Sequence, residues 1–449
     1  MSNSVLPVIV FSGRNIVVNA FRKTLMDMKW EGEKEFVKTS KACLSTVTRF
    51  DEAIIVLDWE VGVDKVIKFF KSLANEAKRE GWLIYLVANE QSEKIIAAGS
   101  EFGVNKVQTG SPNPVSMKLA IEELARVAAE DNPLRPMMEK IQTCRIDGNW
   151  EEASKMLETL SQQNSDSIRI KYELGENYLQ EKKWQQCYDL LSPLAEMDPP
   201  DSRVLHSLGK AMIKIGKKEE AIALLEKAQL INPFNIDRLI TMGQTLLNMN
   251  KVEEAGEKFK EANEIDSENS EAIKGEGTCK LIDGDVNDVL KLLRNQVTGR
   301  ELASILNTAA ILAMRAGTFE KGIELYESAE PLLDGFDDIL AKVVFNKGIG
   351  FYQWEKLDEA KVCFEKALEL DPEYENAKVN LKVIEGGHAK PSSQPISDES
   401  AEGKTDQAEG TEVVSRENAD DAGIDMMVDD GFDSLFDDDD EDSEEQEVS

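Results

Sequence analysis

The sequence predicts a multidomain protein: a doubly wound parallel α/β domain at residues 1–130, an all-α solenoid at residues 131–387, and a disordered acidic tail at residues 388–449. Three observations predict this organisation. Short apolar runs alternate with helical patterns in the first part, a motif recurs every 34 residues in the middle, and acidic residues dominate the end. A chain of 449 residues is too long for one compact core, so several domains are expected.

The first domain is predicted from alternating strand-like and helix-like segments. Strands are expected at residues 5–11, 36–37, 53–58, 82–88 and 106–109, and helices at residues 15–29, 63–78, 93–102 and 114–129. Such alternation predicts a parallel sheet with helices on both faces. Ligands of these sheets bind beyond the carboxyl ends of the strands, which is where Asp58 is expected.

About 125 residues at the start of the chain resemble the receiver domain of response regulators, which has a flavodoxin-like fold. Two segments carry the resemblance: LDWEVG at residues 57–62, where an acid ends the third strand, and GVNKVQTGS at residues 103–111. The resemblance implies that Asp58 occupies the phosphoacceptor position. It also implies an acidic pair after strand one that holds Mg²⁺, a hydroxyl after strand four and a lysine after strand five.

The other three features of the receiver pocket are missing from this sequence. The degenerate pocket positions are Phe11, Ser12, Val87 and Gly110. Mg²⁺ requires carboxylate oxygens, and phosphoryl transfer requires metal ions or cations that neutralise charge. We therefore expect a pseudo-receiver without a cofactor, in which Mg²⁺ matters only if Asp58 is functional. The alternative that stays open is a phosphorylatable response regulator, with Asp58 accepting a phosphoryl group from a histidine kinase and the repeats as output.

A 34-residue motif repeats in the middle of the chain. Gly175, Gly209 and Gly243 recur at this spacing, and each is followed 12 residues later by Cys or Ala. Small residues at these positions let two helices cross closely, and the pattern resembles the tetratricopeptide repeat. The resemblance implies about seven helix pairs, of which the first and fifth are diverged, followed by a cap helix near residues 373–385.

In that family, the first helix of each pair lines a concave groove. The groove positions carried over to this sequence are Arg169, Tyr172, Arg203, His206, Lys210, Gln244, Lys274, Asn307, Lys342 and Asn346. They are either ordinary solvated side chains or a groove that holds an acidic peptide by charge-assisted hydrogen bonds. The strongest candidates are Arg203, His206 and Lys210, which lie near one stripe of a single helix.

The C-terminal region is strongly acidic. It has 22 acidic and two basic residues after residue 390, a net charge of -20 out of -34 for the whole chain. Such a composition cannot offset the entropy cost of ordering, so disorder is expected. An acidic–hydrophobic island at residues 423–442 is either part of a solubilising tail or a docking segment, and one partner it could reach is the protein's own groove.

Composition also excludes several classes of function. The acidity argues against nucleic-acid binding, and no apolar run reaches the length of about 18 residues that membrane insertion needs. Two histidines and five cysteines without metal-ligand spacing predict neither histidine-dependent catalysis nor a metal site. The cysteine usage suits a cytoplasmic protein.

Motifs of enzymes are also missing. The sequence has no P-loop, dinucleotide-binding loop or nucleophile elbow, so no enzymatic activity is expected. The combined prediction is a protein–protein interaction adaptor, a scaffold in a two-component-type signalling or motility pathway. Its partners are expected to be proteins, including acidic peptide segments.

Overall fold

A computed structural model describes residues 6–385 except 75, 91, 111–112, 130–133, 198, 285 and 295–296. The predicted acidic tail, including the island at residues 423–442, lies outside the described residues. The chain divides into two compact units. Among the described residues, the first unit contains residues 6–245 and 264–267, and the second contains residues 246–263 and 268–385.

The first unit begins with a five-stranded parallel sheet of order β2-β1-β3-β4-β5. Its strands are β1 Val8–Phe11, β2 Lys34–Val37, β3 Ala53–Asp58, β4 Trp82–Ala88 and β5 Lys106–Thr109. Its helices are α1 Asn15–Asp27, α2 Ser40–Val47, α3 Val63–Ala74, α4 Glu93–Glu101 and α5 Pro114–Ala129. This strand order is one of the two common doubly wound orders, and the predicted α/β parallel sheet is confirmed.

The sheet separates two apolar cores. Successive strand residues point to opposite faces, so Ile55 and Leu57 pack with α2, α3 and α4, while Ile54 and Val56 pack with α1 and α5. All six residues of β3 are buried. A strand covered on both faces reads as one continuous apolar run, which is why the sequence predicted β3 without ambiguity.

Helix α2 is the element that the sequence did not predict. Its sequence SKACLSTV is rich in serine, threonine and valine, which are weak helix formers. The side chain of Thr39 accepts a hydrogen bond from Ala42 N at 3.2 Å and begins the helix, while Cys43 and Val47 are fully buried. Packing against the sheet therefore stabilises a helix that local propensity does not favour.

The remainder of the described chain forms helical repeats. Between residues 134 and 385 the described residues form fifteen α-helices. Six pairs of consecutive helices pack against each other: α6 Arg135–Ile146 with α7 Trp150–Gln163, α8 Ile168–Gln180 with α9 Trp184–Ala195, α10 Ser202–Lys214 with α11 Lys218–Ile231, α14 Ser270–Asp283 with α15 Val286–Leu293, α16 Gly299–Arg315 with α17 Phe319–Ala329, and α18 Asp337–Gln353 with α19 Leu357–Leu370. Between the third and fourth of these pairs the chain forms α12 Ile236–Asn248 and α13 Val252–Ile265. The final helix is α20 Glu375–Glu385.

Glycines in the first helix of a pair allow the second helix to approach closely. A Cβ atom at Gly209 would lie 2.7 Å from a methyl group of Leu225, and one at Gly348 would lie 2.7 Å from the ring of Phe364. Carbon atoms do not approach this closely, so a larger residue would push the helices apart. The 34-residue glycine spacing in the sequence thus reflects a packing requirement inside each pair.

Within the described residues, no helix combines the length and the apolar character that crossing a bilayer requires.

Candidate functional site

The predicted pocket positions gather at the carboxyl edge of the sheet. Strand register pairs Asp58 of β3 with Val87 of β4, and Leu57 with Phe11 of β1. Ser12 directly follows β1, and Gly110 directly follows β5 with φ of 96°. Parallel strands end at one edge, so positions far apart in sequence become neighbours there.

Both carboxylate oxygens of Asp58 are occupied by hydrogen bonds. Oδ2 accepts from Ser12 Oγ at 2.6 Å and from Arg14 Nε at 2.8 Å. Oδ1 accepts from Arg14 Nη2 at 2.5 Å and from Glu60 N at 3.2 Å. The Asp58 side chain is 1% exposed, and Arg14 is 24% exposed. This fork-like contact is the strong, geometrically specific form of an arginine–carboxylate pair.

The pocket nevertheless contains a cation and a hydroxyl. Arg14 supplies the cation and Ser12 supplies the hydroxyl, although neither lies at the position where the receiver family has that group. Ser12 Oγ also accepts a hydrogen bond from Arg14 N at 3.0 Å, which turns the loop after β1 and returns the guanidinium to the sheet edge. The hydrogen bond with Asp58 raises the pKa of Arg14, so the guanidinium stays charged.

Sequence reasoning missed Arg14 because it inspected only the positions that the family resemblance supplied. The signal was present nevertheless: an arginine stands three residues beyond the end of an apolar strand, at the edge where Asp58 was expected.

The residues around Asp58 do not fit a magnesium ion. Mg²⁺ needs free oxygen ligands in octahedral geometry, whereas both oxygens of Asp58 already accept from donors of the protein. The neighbouring Glu60 accepts a hydrogen bond from Asn89 N at 3.1 Å. In the part of the chain that the structure describes, no group of three His, Cys, Asp or Glu residues is arranged to hold a metal.

A second buried carboxylate, Glu101, lies at the last position of α4 and joins the sheet layer to the repeats of the same unit. Its oxygens accept hydrogen bonds from Ser202 Oγ at 2.6 Å, Asn232 Nδ2 at 2.7 Å, Arg238 Nη2 at 2.7 Å and also Asn235 Nδ2. We call these five residues the Glu101 cluster. Glu101 is 5% exposed and Arg238 is fully buried.

Sequence reasoning also missed the Glu101 cluster. A negative charge at a helix C-terminus is unfavourable to the helix dipole, so Glu101 needs compensation from outside its own helix. That unfavourable position was the available signal, but it does not reveal which residues compensate.

Further contacts of the same interface surround the Glu101 cluster. The Trp59 ring, next in sequence to Asp58, meets the Phe234 ring edge-on with centroids 5.2 Å apart. Lys71 Nζ lies 2.8 Å from an Asp237 oxygen, and both side chains are about half exposed. The helices α3 and α4 therefore lie against the first helices of the repeats in this unit, the surface that was expected to form the groove.

A cavity of about 320 Å³ remains within this interface. Helix α10 contributes His206 and Lys210 to its lining, and the sheet layer contributes Phe70 and Phe102. His206 is 9% exposed, and its Nε2 atom has no hydrogen-bond partner among the described residues. Burial, together with the nearby charges of Lys210 and Arg238, holds the pKa of His206 well below its usual value.

The other predicted groove residues of the first unit are paired with neighbouring side chains or exposed. Arg169 forms an ion pair with Glu80 of the sheet layer at 2.5 Å. Arg203 pairs with Asp201 at 2.7 Å, and its guanidinium lies 5.1 Å from the centre of the Tyr172 ring. Gln244 is exposed.

The predicted groove residues of the second unit lie on α14, α16 and α18. Lys274 pairs with Glu301 at 3.4 Å. Asn346 Nδ2 donates to Asn307 Oδ1 at 3.2 Å, and Asn307 is buried. Lys342 is partly exposed. Peptide binding by these side chains stays a prediction.

Comparison with known families identifies the repeats. Sequence models described as tetratricopeptide repeat match residues 145–213, 202–235 and 341–374. The chain therefore contains tetratricopeptide repeats, which generally mediate protein–protein interaction. Comparison with curated proteins finds no match.

Several solved structures are similar to part of this chain. One is a tetratricopeptide repeat protein from Parabacteroides merdae, with 15% identity, 56% of this chain and 98% of that chain covered, and a TM-score of 0.40. Another is YrrB, described as a TPR protein with an unusual peptide-binding site, with 14% identity, 51% and 99% coverage, and a TM-score of 0.31. A third is MamA MSR-1, with 21% identity, 46% and 98% coverage, and a TM-score of 0.28.

Proposed function

We propose that this protein is a non-enzymatic interaction adaptor in a two-component-type signalling or motility pathway. Its receiver-like sheet layer and its repeats each contribute a binding surface. The strand order and the position of Asp58 at the carboxyl edge support the receiver-like part of the proposal. The matched repeats support the binding part.

The observation that carries the proposal is the occupied carboxylate of Asp58. An aspartate that accepts a phosphoryl group needs a free oxygen as nucleophile, and the reaction needs groups that neutralise the incoming charge. In the unmodified protein, Ser12 and Arg14 already donate hydrogen bonds to the oxygens of Asp58, and the charge of Arg14 is already paired with that carboxylate. Displacing Arg14 would leave the 1% exposed Asp58 without its charge partner, which is costly for a buried ion.

Treatment with acetyl phosphate and Mg²⁺, followed by intact-mass measurement, tests this part of the proposal. We expect no added phosphoryl group in the native chain. A mass increase that disappears in Asp58→Asn would instead support the alternative, a phosphorylatable response regulator served by a histidine kinase. The Arg14→Ala variant extends this test, because it removes the arginine that occupies the oxygens of Asp58 and keeps the carboxylate itself.

The proposed ligands of the repeats are acidic peptide segments. Lys342 lies on α18, a first helix of the second unit, and places positive charge where the family binds peptides. Charge-assisted hydrogen bonds to carboxylates are about twice as strong as neutral ones, so an acidic segment is favoured there. The chain's own island at residues 423–442 has this composition.

Fluorescence anisotropy with a labelled peptide of residues 423–442 tests the groove. We expect saturable binding to the chain that lacks residues 423–449, and weaker apparent binding to the full chain, because a tethered segment competes at high effective concentration. Lys342→Glu should weaken binding. Lys382→Glu, on the exposed side of α20, is the control with the same charge change. Equal effects of the two variants would contradict a specific groove.

A further inference from the structure

The cavity within the first unit has a positive local charge. Lys210 has no hydrogen-bond or ion-pair partner within the described residues. Arg79 donates to the backbone carbonyls of Trp82 at 3.0 Å and Gly103 at 3.1 Å, which are neutral. The negative charge opposite these two cations is Glu176, which accepts a hydrogen bond from the hydroxyl group of Ser207.

The other charged groups of the lining are already paired. Glu101 accepts four donors from the repeats, and Arg238 at its side is fully buried. Lys71 pairs with Asp237, and Arg203 pairs with Asp201. One positive charge therefore remains without compensation in a half-open cavity. Such an arrangement favours an anionic occupant.

The geometry separates a polar end of the cavity from an apolar wall. Lys210 stands one helical turn beyond His206 on α10, so the two side chains share one face. The wall is formed by Phe70 and Phe102, whose rings stack with centroids 4.8 Å apart. The cavity volume of about 320 Å³ lies at the lower end of the range found for small-ligand sites.

We infer that this cavity binds a small carboxylate with an aromatic body. The carboxylate accepts hydrogen bonds from His206 Nε2 and Lys210 Nζ, and the ring packs on Phe70 and Phe102. The unpartnered Nε2 of a nine-tenths buried histidine points to this occupant, because a buried polar atom without a partner is costly. A bound ligand would contact both the sheet layer and α10, and thereby stabilise their contact. The inference goes beyond the proposed adaptor function and does not depend on it.

Isothermal titration of the full chain with benzoate tests the inference, with neutral benzamide as the shape-matched comparison. We expect saturable one-to-one binding of benzoate, and benzamide should bind at least about tenfold more weakly because it lacks the charge. N-acetylphenylalanine, which presents the carboxylate as a peptide C-terminus does, shows whether the carboxylate comes from a peptide or from a free acid. Binding of either acid supports the inference, and the stronger one identifies the source.

Matched variants locate the site. Lys210→Met should weaken benzoate binding about tenfold or more, because a charge-assisted bond is lost. Lys214→Met, one turn further along α10 where Lys214 lies over the Trp184 ring, should leave binding unchanged. His206→Phe should fill the polar end and abolish binding. If that variant does not fold, His206→Gln, which keeps a polar side chain, should weaken binding.

Three results would overturn the inference: no saturable binding of either acid, equal binding of benzamide, or equal losses with Lys210→Met and Lys214→Met. None of them bears on phosphorylation of Asp58 or on peptide binding by the second unit, so failure here is distinguishable from failure of the proposed function.

Discussion

Asp58 and Glu101 are two buried carboxylates of the same sheet layer, and each pairs with an arginine. The partner of Asp58 is Arg14, which lies in the loop after β1 of the same layer and is 24% exposed. The partner of Glu101 is Arg238, which lies on α12 of the repeats and is fully buried. Asp58 is therefore satisfied within its own layer, whereas Glu101 is satisfied only when the sheet layer contacts the repeats.

The difference separates two uses of the same chemical group. The first pairing occupies a carboxylate that stands where parallel sheets bind their ligands. The second pairing links the sheet layer to the repeats, because the five polar side chains of the Glu101 cluster are removed from water together and form hydrogen bonds with one another. A buried charge that loses its partner is more costly than one whose partner can reach water, so the two sites should respond differently to mutation.

Glu101→Ala should have the largest effect. It leaves Arg238 buried without a counter-ion and removes the acceptor of three other side chains, so the free energy of unfolding should fall by about 3–5 kcal/mol. Urea unfolding measures this change. Glu93→Ala, at the exposed start of the same helix, is the control and should cost less than about 1 kcal/mol. Similar losses for both variants would show that the Glu101 cluster does not hold the layers together.

The pair of Asp58 and Arg14 should contribute less. A double-mutant cycle with Asp58→Asn and Arg14→Leu should give a coupling free energy of about 1–3 kcal/mol, because the arginine partly reaches solvent. Urea unfolding of the two single variants and the double variant provides the measurement. A coupling near zero would mean that the fork-like contact does not persist in solution, and Asp58 would then be free for chemistry.

Acid should weaken the first unit through His206. Its folded-state pKa lies well below the ordinary value of 6.5, so the unfolded chain binds a proton first as the pH falls. The contribution of the neutral His206 to the free energy of unfolding is therefore present above pH 6.5 and is lost below it. We expect a loss of about 1 kcal/mol between pH 7 and about 5.5. Unfolding of the native chain and of His206→Gln at both pH values measures the difference. Identical pH dependence in the two proteins would contradict a buried, neutral His206.

The exposed pair of Lys71 and Asp237 should have the smallest effect. Both side chains are about half exposed, so water and salt screen their attraction. Lys71→Ala should change the free energy of unfolding by less than about 1 kcal/mol, and added salt should reduce the change further. A loss comparable to that of Glu101→Ala would show that surface ion pairs, not the buried cluster, determine the contact between the layers.

Much of the fold could be predicted because it is encoded over short distances. The apolar run of β3 and the glycine spacing around Gly209 each depend on contacts that recur regularly along the chain. Helix α2 was missed because its residues form a helix only when Cys43 and Val47 pack on the sheet. The predicted pocket positions lie at one edge of the sheet, whereas the contact of Arg14 with Asp58 was not expected, because Arg14 has no place in the family pattern.

By itself, the sequence determined a parallel α/β sheet, the helical repeats and the placement of Asp58 at a strand end. These follow from periodicity, which each segment carries in its own residues. Only the tertiary structure decided that Arg14 donates hydrogen bonds to both oxygens of Asp58, that side chains of the repeats donate hydrogen bonds to Glu101, and that His206 lines a cavity. Such contacts join residues up to 137 positions apart, and their energies depend on shared burial that no local pattern records.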